Sequence, residues 1–158
     1  MSSKSTSSID EIIQKLEYYC SYQERCHVEV QEKLRGFILS ENERNQIIVH
    51  LIDANFLNEE RFALVFTISK FHQNKWGKIR IKSELKARRI SDYLITKALN
   101  SIPIEEYYNC LEVISEKIWA TIPEKNVLKK RKKFCDTLLR KGWESDSVYQ
   151  KVKNLENR

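Results

Sequence analysis

Glycine and proline are scarce in this chain, three and two among 158 residues. Hairpins, sandwiches and barrels need far more of that punctuation, so an all-α fold is predicted. The four cysteines, Cys20, Cys26, Cys110 and Cys135, contain no CxxC pair, and a chain of this size can close a core without disulfides. They are expected to be reduced and largely buried. Cys20, Cys26 and His27 have no second ligand pair at a suitable spacing, so no metal is expected. No run of about eighteen apolar residues and no signal-peptide pattern is present, which predicts a soluble cytoplasmic protein without membrane contact. His27, His50 and His72 are scattered, without the serine, cysteine or carboxylate company of a catalytic base. Neither GxxxxGK[ST] nor GxGxxG occurs to cradle a nucleotide. No tight carboxylate cluster adjoins the basic segments, as a metal-dependent nuclease would need. The chain is read as a non-enzyme without cofactors.

What is present is a repeat. Leu34, Leu85 and Leu138, separated by 51 and 53 residues, are followed at +4 and +5 by Ile38-Leu39, Arg89-Ile90 and Gly142-Trp143. From Leu39, Ile90 and Trp143, positions +9 and +12 are Ile48 and Leu51, Leu99 and Ile102, and Val152 and Leu155. Position +5 is Arg44, Ile95 or Val148. Such spacings put the side chains on one helical face. Ser40, Ser91 and Ser145 each follow the second apolar residue and can cap the next helix, and Ser40 with Glu43 reads as a capping box. One isolated match is what any helical protein offers, whereas three in register mark a unit used three times.

Each capped helix has two helices before it. In the first unit Ile9, Ile12, Ile13, Leu16, Tyr19 and Cys20 form a stripe started by Ser8 with Glu11, and a helix over about residues 27–37 carries Val30 and Leu34 inward. In the second, Asn58 caps a helix with Phe62, Val65, Phe66 and Ser69 inward, Gly77 breaks it, and residues 78–89 follow. In the third, Pro103 starts a helix with Tyr107, Leu111, Ile114 and Ile118 inward, and Pro123 stops it before a helix at 125–141. The predicted organisation is a disordered lead-in at 1–8 and three three-helix repeats at 9–54, 55–103 and 104–158. These stack into an elongated, slightly curved rod, because one such unit buries little surface alone. A monomer is expected.

Charge is unevenly spread. Residues 1–69 carry 7 basic and 11 acidic side chains, residues 70–100 carry 9 and 2, and residues 101–158 carry 12 and 9. Lys78, Lys82, Lys86 and Arg89 fall within about 80° of one another on a helix. In the third unit, Val127, Leu128, Phe134, Leu138 and Leu139 read as an apolar side, leaving Lys125, Lys129, Lys133 and Arg140 opposite. These faces hold few acidic residues at pairing distance, so phosphate backbone or an acidic protein surface is the expected partner. The candidate contact residues are Lys75, Lys78, Arg80, Lys82, Lys86, Arg88, Arg89, Lys125, Lys129, Lys130, Arg131, Lys132, Lys133, Arg140 and Lys141. A solvated charged face is the plain alternative. Among the aromatics, Trp119 and Trp143 read as core; Trp76, beside Gly77 and Lys78, stays open.

The run Leu57-Asn58-Glu59-Glu60-Arg61-Phe62-Ala63, then Phe71, Lys75-Trp76-Gly77-Lys78-Ile79-Arg80-Ile81 and Glu84-Leu85-Lys86, resembles the central signature of the RecX family. Leu138-Leu139-Arg140-Lys141-Gly142-Trp143 is similar to that family's closing L-x-x-K-G-[FW] motif, and Glu29-Val30 with Lys33-Leu34 to its opening one. The likeness spans about residues 9–155. Asn58 stands where the family commonly has Asp, and Phe37-Ile38-Leu39 and Arg88-Arg89-Ile90 lack the glycine that usually ends the second helix. The resemblance implies tandem three-helix repeats that bind in the groove of the RecA recombinase filament on single-stranded DNA. It further implies restraint of RecA ATPase, strand exchange and coprotease activity, within DNA repair, homologous recombination and the SOS response. A free-standing helical module coating DNA without sequence preference is the alternative.

Overall fold

The computed structural model describes residues 8–158. Residues 1–7 of the expected lead-in lie outside the described residues. Ser8, counted with them, is the N-cap of the first helix, its Oγ accepting the Glu11 amide at 3.3 Å. Among the described residues there are nine helices and no strand: α1 (Ile9–Tyr22), α2 (His27–Leu34), α3 (Glu41–Asp53), α4 (Glu59–Asn74), α5 (Lys78–Ala87), α6 (Asp92–Leu99), α7 (Ile104–Thr121), α8 (Val127–Arg140) and α9 (Ser145–Glu156). The closest helix packing is within the trios α1–α3, α4–α6 and α7–α9, in an all-α elongated architecture.

The predicted side-chain caps form with one exception. Ser40 and Glu43 close a reciprocal box, at 2.9 Å and 3.1 Å, and Ser91 caps α6 through the Leu94 amide. Asn58 caps α4 and Asn126 caps α8. Ser145 caps nothing: Glu144 is the N-cap of α9, and its carboxylate is engaged by Tyr107 instead. α7 stops at Thr121, since Ile122, forced towards extended backbone by Pro123, sits at φ −79, ψ 115. Gly77 does not break α4. That helix ends at Asn74 with Lys75 left-handed at φ 58, and Gly77 is the N-cap of α5.

Leu34, Leu85 and Leu138 are all wholly buried, and removing one such side chain typically costs about 2–5 kcal/mol. Around them form two cores. Ile12, Leu16, Cys20, Val30, Leu34, Phe37, Ile47, Leu51 and Leu57 make one. The other is continuous from Phe62 to Leu155 and takes in Cys26 from the first trio. In the first trio Leu51 is buried as predicted, while Ile47 turns inward in place of half-buried Ile48; in the second, Ala98 is likewise buried and predicted Leu99 only half-buried. On α4 the inward residues are Phe62, Ala63, Thr67 and Phe71; Val65 is exposed, because the buried stripe centres on the 63, 67, 71 row. Val127 and Leu128 are also in solvent, the first turn of α8 extending past the core that holds Phe134, Cys135 and Leu138.

Candidate functional site

The two motifs at 75–81 and 138–143 meet. α8 closes with Gly142 at φ 94, a left-handed position that favours glycine, and this turn lies against the start of α5. The approach is backbone to backbone: a Cβ on Gly77 would lie 2.3 Å from the Gly142 carbonyl oxygen, and one on Gly142 the same distance from Arg80 Cβ. The Gly77 amide donates to Lys141 O at 2.8 Å and the Ile79 amide to Gly142 O at 3.1 Å. Between them the Lys78 amide donates to Tyr107 Oη at 2.9 Å, and that hydroxyl donates to the Glu144 carboxylate at 2.8 Å. First-turn amides have no partner within their own helix. Here the end of α8 and Tyr107 accept them, so the positive end of α5 faces the negative end of α8.

Trp143, wholly buried, locks the same joint. Its Nε1 donates to Lys75 O at 3.0 Å, and its ring lies 4.5 Å from that of Tyr107 and 6.5 Å from that of Phe71. Burial, opposed by the Lys78 amide and reinforced by the Glu144 carboxylate, pushes the Tyr107 hydroxyl far above its ordinary value. It is therefore a fixed neutral donor. The sequence marked Tyr107 only as a member of an apolar stripe and did not single out Glu144.

The joint gathers part of the predicted basic set. Arg80 Nη1 donates to Arg140 O at 3.2 Å and Lys141 Nζ to Asn74 O at 3.2 Å. Lys75 stands exposed beside them, and Lys78 Nζ lies 4.8 Å from the Tyr107 ring centre. Lys82 and Arg89 project from α5, Lys125 from the turn before α8 and Lys129 from α8; among the described residues none of these four is in an ion pair, and all are exposed. Arg89 adopts φ 59 where α8 has Gly142 at its end, so a cationic residue fills the left-handed slot that lacks the usual glycine.

The remainder are more fully paired than spacing, with few acidic neighbours at pairing distance, predicted. Lys86 pairs with Asp92 at 3.8 Å and Arg88 with Glu84 at 3.0 Å. Arg131 grips Glu156 through two hydrogen bonds of 2.7 Å, Lys132 pairs with Asp136, and Lys133 with Glu124 at 3.5 Å. Three of those five carboxylates come from outside the helix that carries their cation, where intrahelical spacing cannot reveal them. Lys130 lies 4.2 Å from the ring centre of half-buried Trp119, which stands edge-on to Phe134. Trp76 is half-buried too, with Arg80 Cζ at 4.0 Å and Lys70 Nζ at 5.1 Å from its ring centre. Its ring is already occupied by the chain's own cations.

A second, lighter seam joins the first two trios. Arg61 Nε donates to Glu24 at 2.6 Å and its Nη2 to Asn55 O at 2.9 Å, while the His27 amide donates to Glu59 at 3.2 Å. Glu59 and Arg61 belong to the central motif, so that motif also supplies joint residues. Cys26 is wholly buried at this seam and donates to Glu29 at 3.3 Å. Burial pushes its thiol up to about 11. The other three thiols are raised by the same cause, and a thiol so shifted is a poor nucleophile. All four cysteines are free, three buried and Cys110 half-buried. No helix among the described residues is long and apolar enough to cross a membrane.

Comparison with known proteins bears on the same segments. Residues 58–99 match the family description "RecX, second three-helix domain". "Regulatory protein RecX" of Bacillus thuringiensis (strain Al Hakam) is 25% identical over 130 residues, 82% of this chain and 48% of that protein. Its counterpart in Bacillus cytotoxicus is 26% identical over the same span. The chain thus covers about half the length of these curated relatives. The crystal structure of RecX from Lactobacillus salivarius superposes with a TM-score of 0.80 at 25% identity, over 95% of this chain and 97% of that one. A second crystal structure, of regulatory protein RecX, shares the fold at a TM-score of 0.81 and 20% identity, over 92% of this chain and 73% of that one. The chain is thus similar to RecX proteins over residues 58–99, where it matches their second three-helix domain, and in fold over nearly its full described length.

Proposed function

We propose that this protein binds the groove of a RecA filament on single-stranded DNA and restrains its ATPase, strand exchange and coprotease activity. It acts by occupancy and performs no chemistry of its own. The observation that carries the reading is the α5–α8 joint. Two basic helices meet end to end there, with Lys78, Arg80, Arg140 and Lys141 at the junction and the unpaired Lys82, Arg89 and Lys129 leading away from it. Because the junction is backbone-locked, the cations are held in register before any partner arrives. Pre-organisation of that kind lowers the ordering cost of binding a long polyanionic surface. The trios at 9–54, 55–103 and 104–158 are taken as copies of one unit, of which the second and third carry the contact surface.

Adding purified protein to RecA filaments, followed by co-sedimentation and ATPase measurement, tests this. The wild type is expected to co-sediment and to slow hydrolysis. Lys82→Glu with Arg89→Glu, Lys129→Glu and Arg140→Glu is expected to lose both effects while keeping its helicity. Unchanged ATPase with wild-type protein overturns the reading. Tight binding to bare duplex DNA with a steep salt dependence, about −0.9 in log–log slope per phosphate neutralised, would favour the free-standing DNA module.

A further inference from the structure

The sequence left the role of Trp76 open, a stacking platform for a base being one candidate. Trp76 is covered by Lys70 and Arg80, while two rings in the acidic first third of the chain stand uncovered. Tyr18 and Tyr22, one turn apart on α1, are 72% and 73% exposed, with ring centres 6.4 Å apart and planes 36° from parallel. They form one wall of a cleft of about 730 Å³ between α1 and the end of α2, whose other aromatics are Tyr19 and Phe37.

The cleft is positive although its trio is not. Lys15, Arg25 and Lys33 line it with Glu11, and Arg25 is also paired with Glu29 at 3.5 Å. Arg25 lies 3.7 Å from the Tyr19 ring centre, with its Nε donating to Tyr19 O, and Lys33 lies 5.3 Å from the same ring. The inner rings thus hold cations in place and the outer rings stay bare. Adjacent bare rings flanked by fixed cations form a stacking platform with phosphate partners beside it. A duplex hides its base faces, whereas a single strand offers them.

We infer that the Tyr18–Tyr22 cleft binds a short segment of single-stranded nucleic acid, one or two bases stacking on the tyrosines and the adjoining phosphates meeting Lys33. This goes beyond the recombinase reading and does not depend on it, because the assay contains no recombinase.

The test uses the full chain and an oligodeoxythymidylate of about 15 nucleotides, a length within the usual single-strand site range, carrying 5-iodouracil for photocrosslinking. Crosslinks are expected at Tyr18 or Tyr22, including in protein carrying Lys82→Glu and Lys129→Glu, which removes competing basic sites. Tyr18→Ala with Tyr22→Ala is expected to weaken binding at least tenfold, the loss of about one stacked base. Tyr18→Phe with Tyr22→Phe keeps the rings and should retain affinity. Crosslinks confined to α5 and α8, or unchanged affinity in the double alanine variant, would overturn the inference. So would a polyglutamate peptide that competes as well as the oligonucleotide, which would assign the cleft to a protein partner.

Discussion

The trios α4–α6 and α7–α9 share one hydrophobic core and are tied by backbone hydrogen bonds, a buried tryptophan and two glycines in contact, whereas α1–α3 close around their own core. The first trio reaches the rest through Cys26, Val28 and a few polar contacts centred on Arg61. The difference shows how a repeat array can be rigid in one part and compliant in another. Core residues stabilise each unit, but the rigidity between units depends on what crosses the boundary. Where the crossing groups are backbone, they can neither rotate away nor be screened by salt. Side-chain ion pairs at a partly exposed seam yield to both. A rod with one stiff and one soft joint can seat its basic half first and let its aromatic cleft follow.

The largest expected effect comes from filling the gap at the stiff joint. Gly77→Ala places a methyl group 2.3 Å from the Gly142 oxygen, and neither backbone can yield without parting α5 from α8. A loss of about 3 kcal/mol is expected, at the upper end for overpacking. Hydrogen exchange should show the opening in α5, α7 and α8 while α1 and α3 keep their protection. Uniform loss of protection across all nine helices would show that the two joints are equally coupled, and so break the comparison.

Tyr107→Phe probes the same joint more gently. It removes the acceptor of the Lys78 amide and the donor to Glu144, at an expected cost of about 1–2 kcal/mol by urea denaturation. It also separates two alkaline effects. Tyr107 and Cys26 both have raised values in the folded protein. Each contributes stability that is fully present below its unfolded value and is lost as pH rises towards the folded one. For Cys26 that window runs from the ordinary thiol value to about 11, and for Tyr107 it lies above the ordinary phenol value. The wild-type denaturation midpoint should therefore fall across the alkaline range, and Tyr107→Phe should flatten only its upper part.

The contrast also explains what could be read in advance. Leu34, Leu85 and Leu138, the caps at Ser8, Ser40, Asn58 and Ser91, and the stripe on α7 were all legible, because they depend on neighbours within a turn or two of helix. The joint was not. Gly77 and Gly142 are 65 positions apart, and no spacing rule links a helix start to the end of a helix in the next trio. Ser145 failed as a cap for the same reason, since Tyr107 holds Glu144 in the capping place. The charge pattern was legible as composition and misleading as geometry. Arg131 finds Glu156 in α9 and Lys133 finds Glu124 in the turn before α8, and the bare rings lie in the trio whose net charge pointed away from an anionic ligand.

Arg61→Ala tests the soft seam and should give the smallest effect of the three. Its guanidinium joins Glu24 on α1's trailing turn to the Asn55 carbonyl, yet its side chain is 33% exposed and that of Glu24 25%. Solvent screening holds such a contact to about 1 kcal/mol or less. The cost in stability should therefore be close to the limit of measurement. The mechanical consequence should not be, since few other polar contacts cross this boundary. Small-angle scattering is expected to show a broader distance distribution for the variant with unchanged helicity, and α4 should exchange faster at its first turn only. If instead the variant melts as cooperatively and scatters as narrowly as wild type, then Cys26, wholly buried in the core of the second and third trios, is enough to hold the first trio in place, and both joints are stiff.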